Sequence, residues 1–542
     1  MTISVDQGAM PAAEPAVAAA PASRRRPWWV WATPFALMTG ILCGVMANVL
    51  GSPMYERADQ GANSILIEQA RRFSLLTGNY SRTHINHPGP AFLYVQAAGE
   101  QVFWAATRIV PTALNGQLIA VYLLNAAFAA CVVAIAYGWT QRLSGAVAAL
   151  AVVFAFACIH PPAFGSDWMP YVYVPAYFAF VVAVASVAAG RLQDAWIMTV
   201  AGWFLIEGHV CFLLFVPVLF LAAVIGLALP RRRRLGAALR ALLTRHRRAW
   251  IPAVAISAVF VLPMVVNVIM HGTGEWAKYV SLSGSHAGGL TPTVAQVRDY
   301  LMWYWRPQHP AFLPASYTWV IMLIAYAVAI TVTATLTRGP VRRFLASLLI
   351  VNTLSSVLVL VFAAKGVDHV GPGTYYVCYF YWSAPAIMLL VVAVAIAGAL
   401  PSLVSIPAGA VLTAAACVAF ALAPATNTLT TGRTDIDASL PHAVSVLAAQ
   451  AQGKPVVIRL DHDGWIALTG LLVQAERTNV EACVANPAWA FMVSSEDICT
   501  PRQLADGKVF WIIPDVSMTP GMQPIAKLRL MDITAGPGPL PR

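Results

Sequence analysis

The chain has 542 residues, of which 59% are hydrophobic and 11% charged, with a net charge of +11. Soluble domains carry about 25% charged residues, so this composition excludes an ordinary soluble protein and indicates a polytopic membrane protein. The positive charge does not indicate nucleic acid: eight arginines lie within 231–248, beside an apolar run and with no acidic residue among them, which is how a cytoplasmic loop is marked.

Residues 1–23 are rich in Ala and Pro and lack periodicity, so 1–27 reads as a disordered cytoplasmic tail. Arg24, Arg25 and Arg26 precede an apolar run from Trp28 to Leu50. A signal-peptide core is about 7–15 residues, so this run reads as an uncleaved first span. The next loop, 51–113, is polar and acidic. It carries Glu56, Asp59 and Glu68, then Arg71 and Arg72, then His84 and His87, and it includes His87-Pro88-Gly89-Pro90. Within it, 61–76 and 91–108 read as amphipathic helices lying at the membrane surface, the first with Leu66, Ala70 and Phe73 on one face.

A span needs about 20 apolar residues. The candidates are 28–50, 114–138, 143–160, 169–189, 194–207, 209–229, 249–270, 316–336, 344–364, 374–398 and 403–422, eleven in all. With a cytoplasmic N-terminus, eleven spans place Arg142, Arg191, the 231–248 loop, Arg338, Arg342 and Arg343 inside. The loops 51–113, 161–168, 271–315 and 365–373 then face outside, with the tail. Ten of the eleven histidines also lie outside or at an outer span end. The expected fold is therefore a polytopic α-helical membrane domain over 28–422, of about 11 transmembrane helices in an inner, cytoplasmic membrane. The tail 423–542 reads as a small extracytoplasmic α/β domain, with strands at 456–460, 508–514 and 525–531 and a helix at 463–475. Asp461-His462-Asp463 after the first strand fits a loop and helix cap, or a metal or ligand site. Cys483 and Cys499, alone in this exported region, are expected to pair. No cysteine pair has metal-ligand spacing, and no metal or cofactor is implied.

The first-loop pattern resembles the GT-C superfamily of membrane glycosyltransferases, of the protein mannosyltransferase or aminoarabinose transferase type. That family has an outer loop with an acidic residue after the first span, then interfacial helices, then a His-Pro-Pro-Leu-like motif followed by aromatics. Here Asp59-Gln60-Gly61 opens the helix, and His87-Pro88-Gly89-Pro90 leads to Phe92 and Tyr94. Gly165-Ser166-Asp167-Trp168-Met169-Pro170-Tyr171 resembles the family's second outer acidic site. Two positions depart from the pattern. Glu56 lies three residues before Asp59 in place of an Asp-Glu pair, and Gly89 replaces the second proline. The resemblance implies a polyprenyl-phosphate-linked sugar donor, an envelope glycan, lipid or protein as acceptor, and inverting transfer at the outer face of the bilayer.

Such a transfer needs a carboxylate to take a proton and cations to hold the departing phosphate. Asp59 is the expected base, against a competing role as helix cap. Glu56 is a second carboxylate candidate, against an exposed loop charge. His84 and His87 are candidates for binding acceptor or phosphate, or plain loop residues. Asp167, Glu207 and His209 sit at outer span ends, where ionisable groups are functional candidates. Lys278, Arg306 and His309 in the loop 271–315, beside Trp303-Tyr304-Trp305, suit phosphate pairing and sugar stacking, or an interfacial belt. Lys365, Asp368 and His369, with Tyr375 and Tyr376, form the last outer cluster and suit the same roles. The alternatives are a transporter or flippase of lipid-linked sugars, which would carry ionisable residues deep in its spans, and a non-enzymatic envelope protein.

Overall fold

The computed structural model describes residues 26–81, 84–228, 247–284, 292–306, 317–365, 372–422, 437–514, 523–529 and 531–535. The N-terminal tail, the arginine run 231–246, His309, Asp368 and His369 lie outside the described residues.

Apolar runs leave backbone N–H and C=O groups no partner but each other, and the helix satisfies them within one segment. Each of the eleven apolar segments accordingly falls on a helix. They are α1 (Trp29–Val45), then α2 (Ala58–Arg71) and α3 (Ala91–Gly99) in the first loop, α4 (Ala113–Thr140), α5 (Leu143–Ile159), α6 (Met169–Ala188), α7 (Ala195–Gly208), α8 (Phe212–Ala228) and α9 (Arg247–His271). Two loop helices follow, α10 (Gly274–Gly284) and α11 (Val294–Trp303), then α12 (Thr318–Leu336), α13 (Gly339–Lys365), α14 (Ser383–Ala399) and α15 (Ser402–Leu422). Among the described residues seven helices are long and apolar enough to cross a membrane; α1, α5 and α8 are shorter apolar helices. The 374–398 segment begins as 3₁₀ turns over Pro372–Trp382 before continuing as α14. Helix α6 is central and almost wholly buried against α4, α7, α8 and α13, with Tyr177, Phe178 and Phe180 filling the space. By contrast, α9 and α12 expose most of their apolar surface.

The first loop departs from the expected surface helices. Helix α2 ends at Arg71, and Gln60, Asn63, Ser64, Ile65, Ile67 and Glu68 are all buried along it. It lies between α3 on one side and the tail domain on the other. The second surface helix is α3 running on as a π-helical segment, Glu100–Ala106. Between α2 and α3 runs a two-residue antiparallel hairpin, β1 (Tyr80–Ser81) with β2 (Ile85–Asn86).

The tail holds helix α16 (Leu440–Ala451) and a five-stranded sheet ordered β4-β3-β5-β7-β6. Strands β3 (Val456–Leu460) and β5 (Lys508–Pro514) stand where the alternation places them. The stretch 525–531 is a correction: it divides into β6 (Ala526–Leu528) and β7 (Met531–Ala535), paired as an antiparallel hairpin. Strands β3, β4 (Ala482–Val484) and β5 are mutually parallel, and helix α17 (Trp465–Arg477) is the crossover from β3 to β4. Cys483 of β4 and Cys499 form a disulfide, Cα atoms 4.9 Å apart.

Helices α2 and α17 cross at two glycines. A Cβ on Gly61 would lie 2.5 Å from Thr469 Oγ1, and one on Gly470 would lie 2.3 Å from the carbonyl oxygen of Glu56. Only glycine permits this approach at each contact. The tail domain is thereby seated on the loop that carries Asp59.

Candidate active site

Helix α2 starts in an unusual way. Arg57 is extended and makes no side-chain cap, and Ala58 has φ +52°, a left-handed conformation that is rare for a residue with a Cβ. The Ala58 carbonyl accepts a hydrogen bond from Thr469 Oγ1 of α17 at 3.0 Å. Asp59 follows directly. Its carboxylate does not cap the helix. One oxygen accepts from the Tyr80 hydroxyl of the hairpin, and the other accepts from Trp168 Nε1 at 2.9 Å. Three separate parts of the chain thus orient one half-buried carboxylate.

That carboxylate lines a cavity of about 170 Å³ together with Asn63, Tyr80, His87, Trp168, His209 and Tyr376. Asn63 stands four residues after Asp59, on the same face of α2. His87 is buried. Its Nδ1 accepts from the Val210 amide at 3.3 Å, and its ring lies 4.3 Å from that of His209. Burial, and then the neighbouring His209, hold His87 well below the ordinary imidazole range, so it is neutral at physiological pH. His209 Nδ1 in turn accepts from the Cys211 amide at 3.1 Å.

Glu207 lies behind this wall. Its Oε2 accepts from the Ala91 amide, the first of α3, at 2.8 Å, and its backbone carbonyl accepts from Gly89 N at 3.2 Å. A Cβ on Gly89 would sit 2.5 Å from Glu207 Cγ. The absent second proline of the His-Pro motif therefore has a steric cause: Glu207 occupies the space a side chain would need. Glu207 holds the start of α3 and is not part of the cavity wall.

Glu56, the second carboxylate candidate, belongs elsewhere. It is fully buried and pairs with Arg477 of α17 at 2.6 Å. Arg477 also reaches Glu68 at 3.1 Å and Glu100 at 3.4 Å, while Arg71 joins Glu68 and Glu100, each at 2.9 Å. Gln117 of α4 donates to Glu100 Oε2 at 2.9 Å. Three carboxylates and two guanidiniums thus tie α2, α3, α4 and the tail together. Desolvation raises the Glu100 carboxyl to about 7 against the lowering effect of Arg477. The three carboxylates hold Arg477 above its ordinary range despite its burial.

The remaining candidates scatter. His84 is exposed, with φ +58°, and its ring stands 4.5 Å from Phe491 of the tail. Asp167 is buried beside Trp168 without lining the cavity. Lys278 is exposed and paired with Glu275 at 2.6 Å. Its neighbour Tyr279 donates to the Asn86 carbonyl, so the loop 271–315 touches the hairpin beside the cavity. Arg306 ends the turn carrying Trp303, whose ring stacks on Tyr375, Tyr379 and Trp382 at 4.6–5.6 Å. Trp168 and Tyr171 contact the same cluster through Tyr379. Of the last outer cluster the cavity takes Tyr376; sequence reasoning did not single out Tyr80, Asn63 or Trp168 as site residues, nor Arg477 as their support. Among the described residues no group of three or more His, Cys, Asp or Glu side chains could hold a metal ion.

No family model matches the chain, and no curated protein matches it. Among solved structures it is similar to ArnT from Cupriavidus metallidurans bound to undecaprenyl phosphate, at 15% identity and a TM-score of 0.45, covering 94% of this chain and all of that one. The same enzyme in the apo state gives the same identity and TM-score, with 99% of that chain covered.

Proposed function

We propose that the chain is a membrane glycosyltransferase of the GT-C kind, moving a sugar from a polyprenyl-phosphate carrier to an envelope acceptor at the outer face of the cytoplasmic membrane. The observation that carries this reading is Asp59: a carboxylate after the first apolar helix, oriented by Tyr80 and Trp168 and lining a polar cavity. The His87–Pro90 and Gly165–Tyr171 motifs also support it.

In the proposed reaction an acceptor hydroxyl or amine attacks the anomeric carbon. The bond from that carbon to the phosphate oxygen breaks, and its electron pair stays on the phosphate. The acceptor proton passes to Asp59, and attack from the face opposite the phosphate inverts the anomeric centre. The Tyr80 and Trp168 donors hold the carboxylate in one rotamer, so little reorganisation accompanies proton transfer. Neutral His87 and His209 offer ring nitrogens to sugar hydroxyls, and Tyr376 with Trp168 offers aromatic faces for sugar rings. Arg306, Lys278 and His309 are the cations proposed for the phosphate, and Asp167, Asp368 and His369 remain binding candidates at the outer rim. Glu56 and Glu207 are assigned to support of the site, through Arg477 and through α3.

The test needs no knowledge of the acceptor. Native membranes containing the protein are incubated with a panel of polyprenyl-phosphate-linked hexoses and pentoses, and release of polyprenyl phosphate is followed. Asp59→Asn keeps the shape and one acceptor, its Oδ1 for Trp168 Nε1 with Nδ2 turned to donate to the Tyr80 hydroxyl, but cannot take the proton. Loss of a general base lowers the rate by about 10²–10⁴. A folded Asp59→Asn protein that releases the carrier at the parental rate removes Asp59 as base.

A further inference from the structure

Helices α12 and α13 form an antiparallel pair joined at Thr337 and Arg338. Between them runs a groove of about 660 Å³, walled by Ile330 and Ala334 of α12 and by Leu349, Ile350 and Val357 of α13, with Arg342 at one end. It shares no residue with the Asp59 cavity. From Arg342 to Val357 is fifteen residues, or about 22 Å of helix, against about 15 Å for half of a bilayer's hydrocarbon core. The groove is therefore long enough for an extended acyl chain of one leaflet.

Charge at the groove's end identifies the headgroup. Arg342 lines that end of the groove, Arg338 and Arg343 lie beside it in the chain and are exposed, and no Asp or Glu occurs between residues 300 and 367. Among the described residues none of the three arginines makes an ion pair. Arg342 is nonetheless fixed, with Nε donating to the Thr337 carbonyl at 2.8 Å and Nη2 to the Ala334 carbonyl at 2.6 Å. Two of its five N–H donors are used and three remain for a ligand. A zwitterionic headgroup would bring a second cation to a site with no carboxylate, whereas an anionic one meets only guanidiniums.

We propose that this groove binds an anionic glycerophospholipid of the leaflet on the arginine side, its acyl chain along α12 and α13 and its phosphate on Arg338, Arg342 and Arg343. Basic pockets between membrane helices commonly select anionic lipids in this way. The assignment does not depend on the transferase reading.

Native mass spectrometry of the full chain in neutral detergent tests it, using phosphatidylglycerol and phosphatidylcholine with identical acyl chains. Phosphatidylglycerol and phosphatidylcholine share the phosphate and differ by the choline cation; at about 1 kcal/mol for each of two exposed arginines near a net negative headgroup, the preference for phosphatidylglycerol is roughly thirty-fold. Arg338→Gln with Arg343→Gln, both exposed positions, should lower that preference to the few-fold that Arg342 alone sustains, while leaving chain binding. Ile350→Trp, at a residue 67% exposed, should fill the groove and abolish retention of both lipids. Equal retention of the two lipids by the parent overturns the proposal, as does an unchanged preference in the double variant. Displacement of phosphatidylglycerol by an equimolar polyprenyl phosphate would overturn it too, by reassigning the groove to a different lipid.

Discussion

Gly89 and Thr469 show how far single atoms decide the geometry around Asp59. A methyl group on Gly89 would lie 2.5 Å from Glu207 Cγ and 2.7 Å from its Oε2. The carboxylate cannot retreat without losing the amide of Ala91 at the start of α3. Gly89→Ala should therefore destabilise the protein by about 1–3 kcal/mol, as overpacked sites do, read as a lowered midpoint in thermal unfolding. A Gly89→Ala protein of parental stability would show that Glu207 moves freely. Thr469→Val removes the hydroxyl that satisfies the Ala58 carbonyl but keeps the shape. Loss of one such bond costs about 0.5–1.5 kcal/mol, and because Ala58 is left-handed and adjoins Asp59, carrier release should fall by more than the change in melting temperature accounts for. Thr469→Ser restores the hydroxyl and should restore the rate. A serine variant as slow as the valine one would count against this positioning role.

At the scale of elements, what could be read from the sequence depended on whether a partner was local. The apolar runs stand out because lipid-facing and core-facing helices both need apolar side chains, and β3 and β5 stand out through their β-branched composition. Asp59 and Asn63 are four apart on α2, a pairing legible from spacing alone. Arg477 is not legible: its three carboxylates come from α2, from the loop before it and from the π-helical segment after α3, and nothing near residue 477 announces them. Helix α2 was misread for the same reason. Its polar residues look like a solvated face until the tail covers them, while Phe73 beyond its end is exposed, as a membrane-facing side chain would be. Arg477→Met should cost about 3–5 kcal/mol, because Glu56 and Glu100 would then be buried with less compensation; thermal unfolding checks this. Glu100 itself gives a pH dependence. Its carboxyl is raised from 4.5 to about 7 in the folded protein, so folded protein binds a proton that the unfolded chain has released. The stability this contributes is complete below about pH 4.5 and is lost as pH rises through about 7. Glu100→Gln removes the titration. The parent should lose stability relative to Glu100→Gln across that window, and a constant difference between the two denaturation curves would contradict the assignment.

Across the whole molecule, the seating of the tail on the first loop constrains topology. The tail's α17 contacts α2 through Thr469 and Arg477, and Arg57 donates to the Arg529 carbonyl at 2.8 Å. Loop 51–113 and tail 437–535 must therefore lie on the same side of the membrane. That requirement demands an even number of crossings between the first loop and the tail. Ten crossings by the apolar segments after 28–50, the short α7 included, would satisfy it. If α7, only 14 residues long, failed to cross, α8 and every later helix would invert, and the tail could not reach Arg57 or Glu56. By the positive-inside rule the arginines of 231–248 lead us to expect that loop in the cytoplasm and the tail outside. Reporter fusions after residue 240 and after residue 430 should accordingly report opposite sides, with the second extracytoplasmic. The disulfide between Cys483 and Cys499 gives an independent check, since such bonds persist in oxidising compartments. Mass mapping of protein alkylated in intact cells should find these two cysteines bonded. Fusions reporting the same side, together with two free thiols, would place the tail in the cytoplasm, and the transfer chemistry would then have to face inward as well.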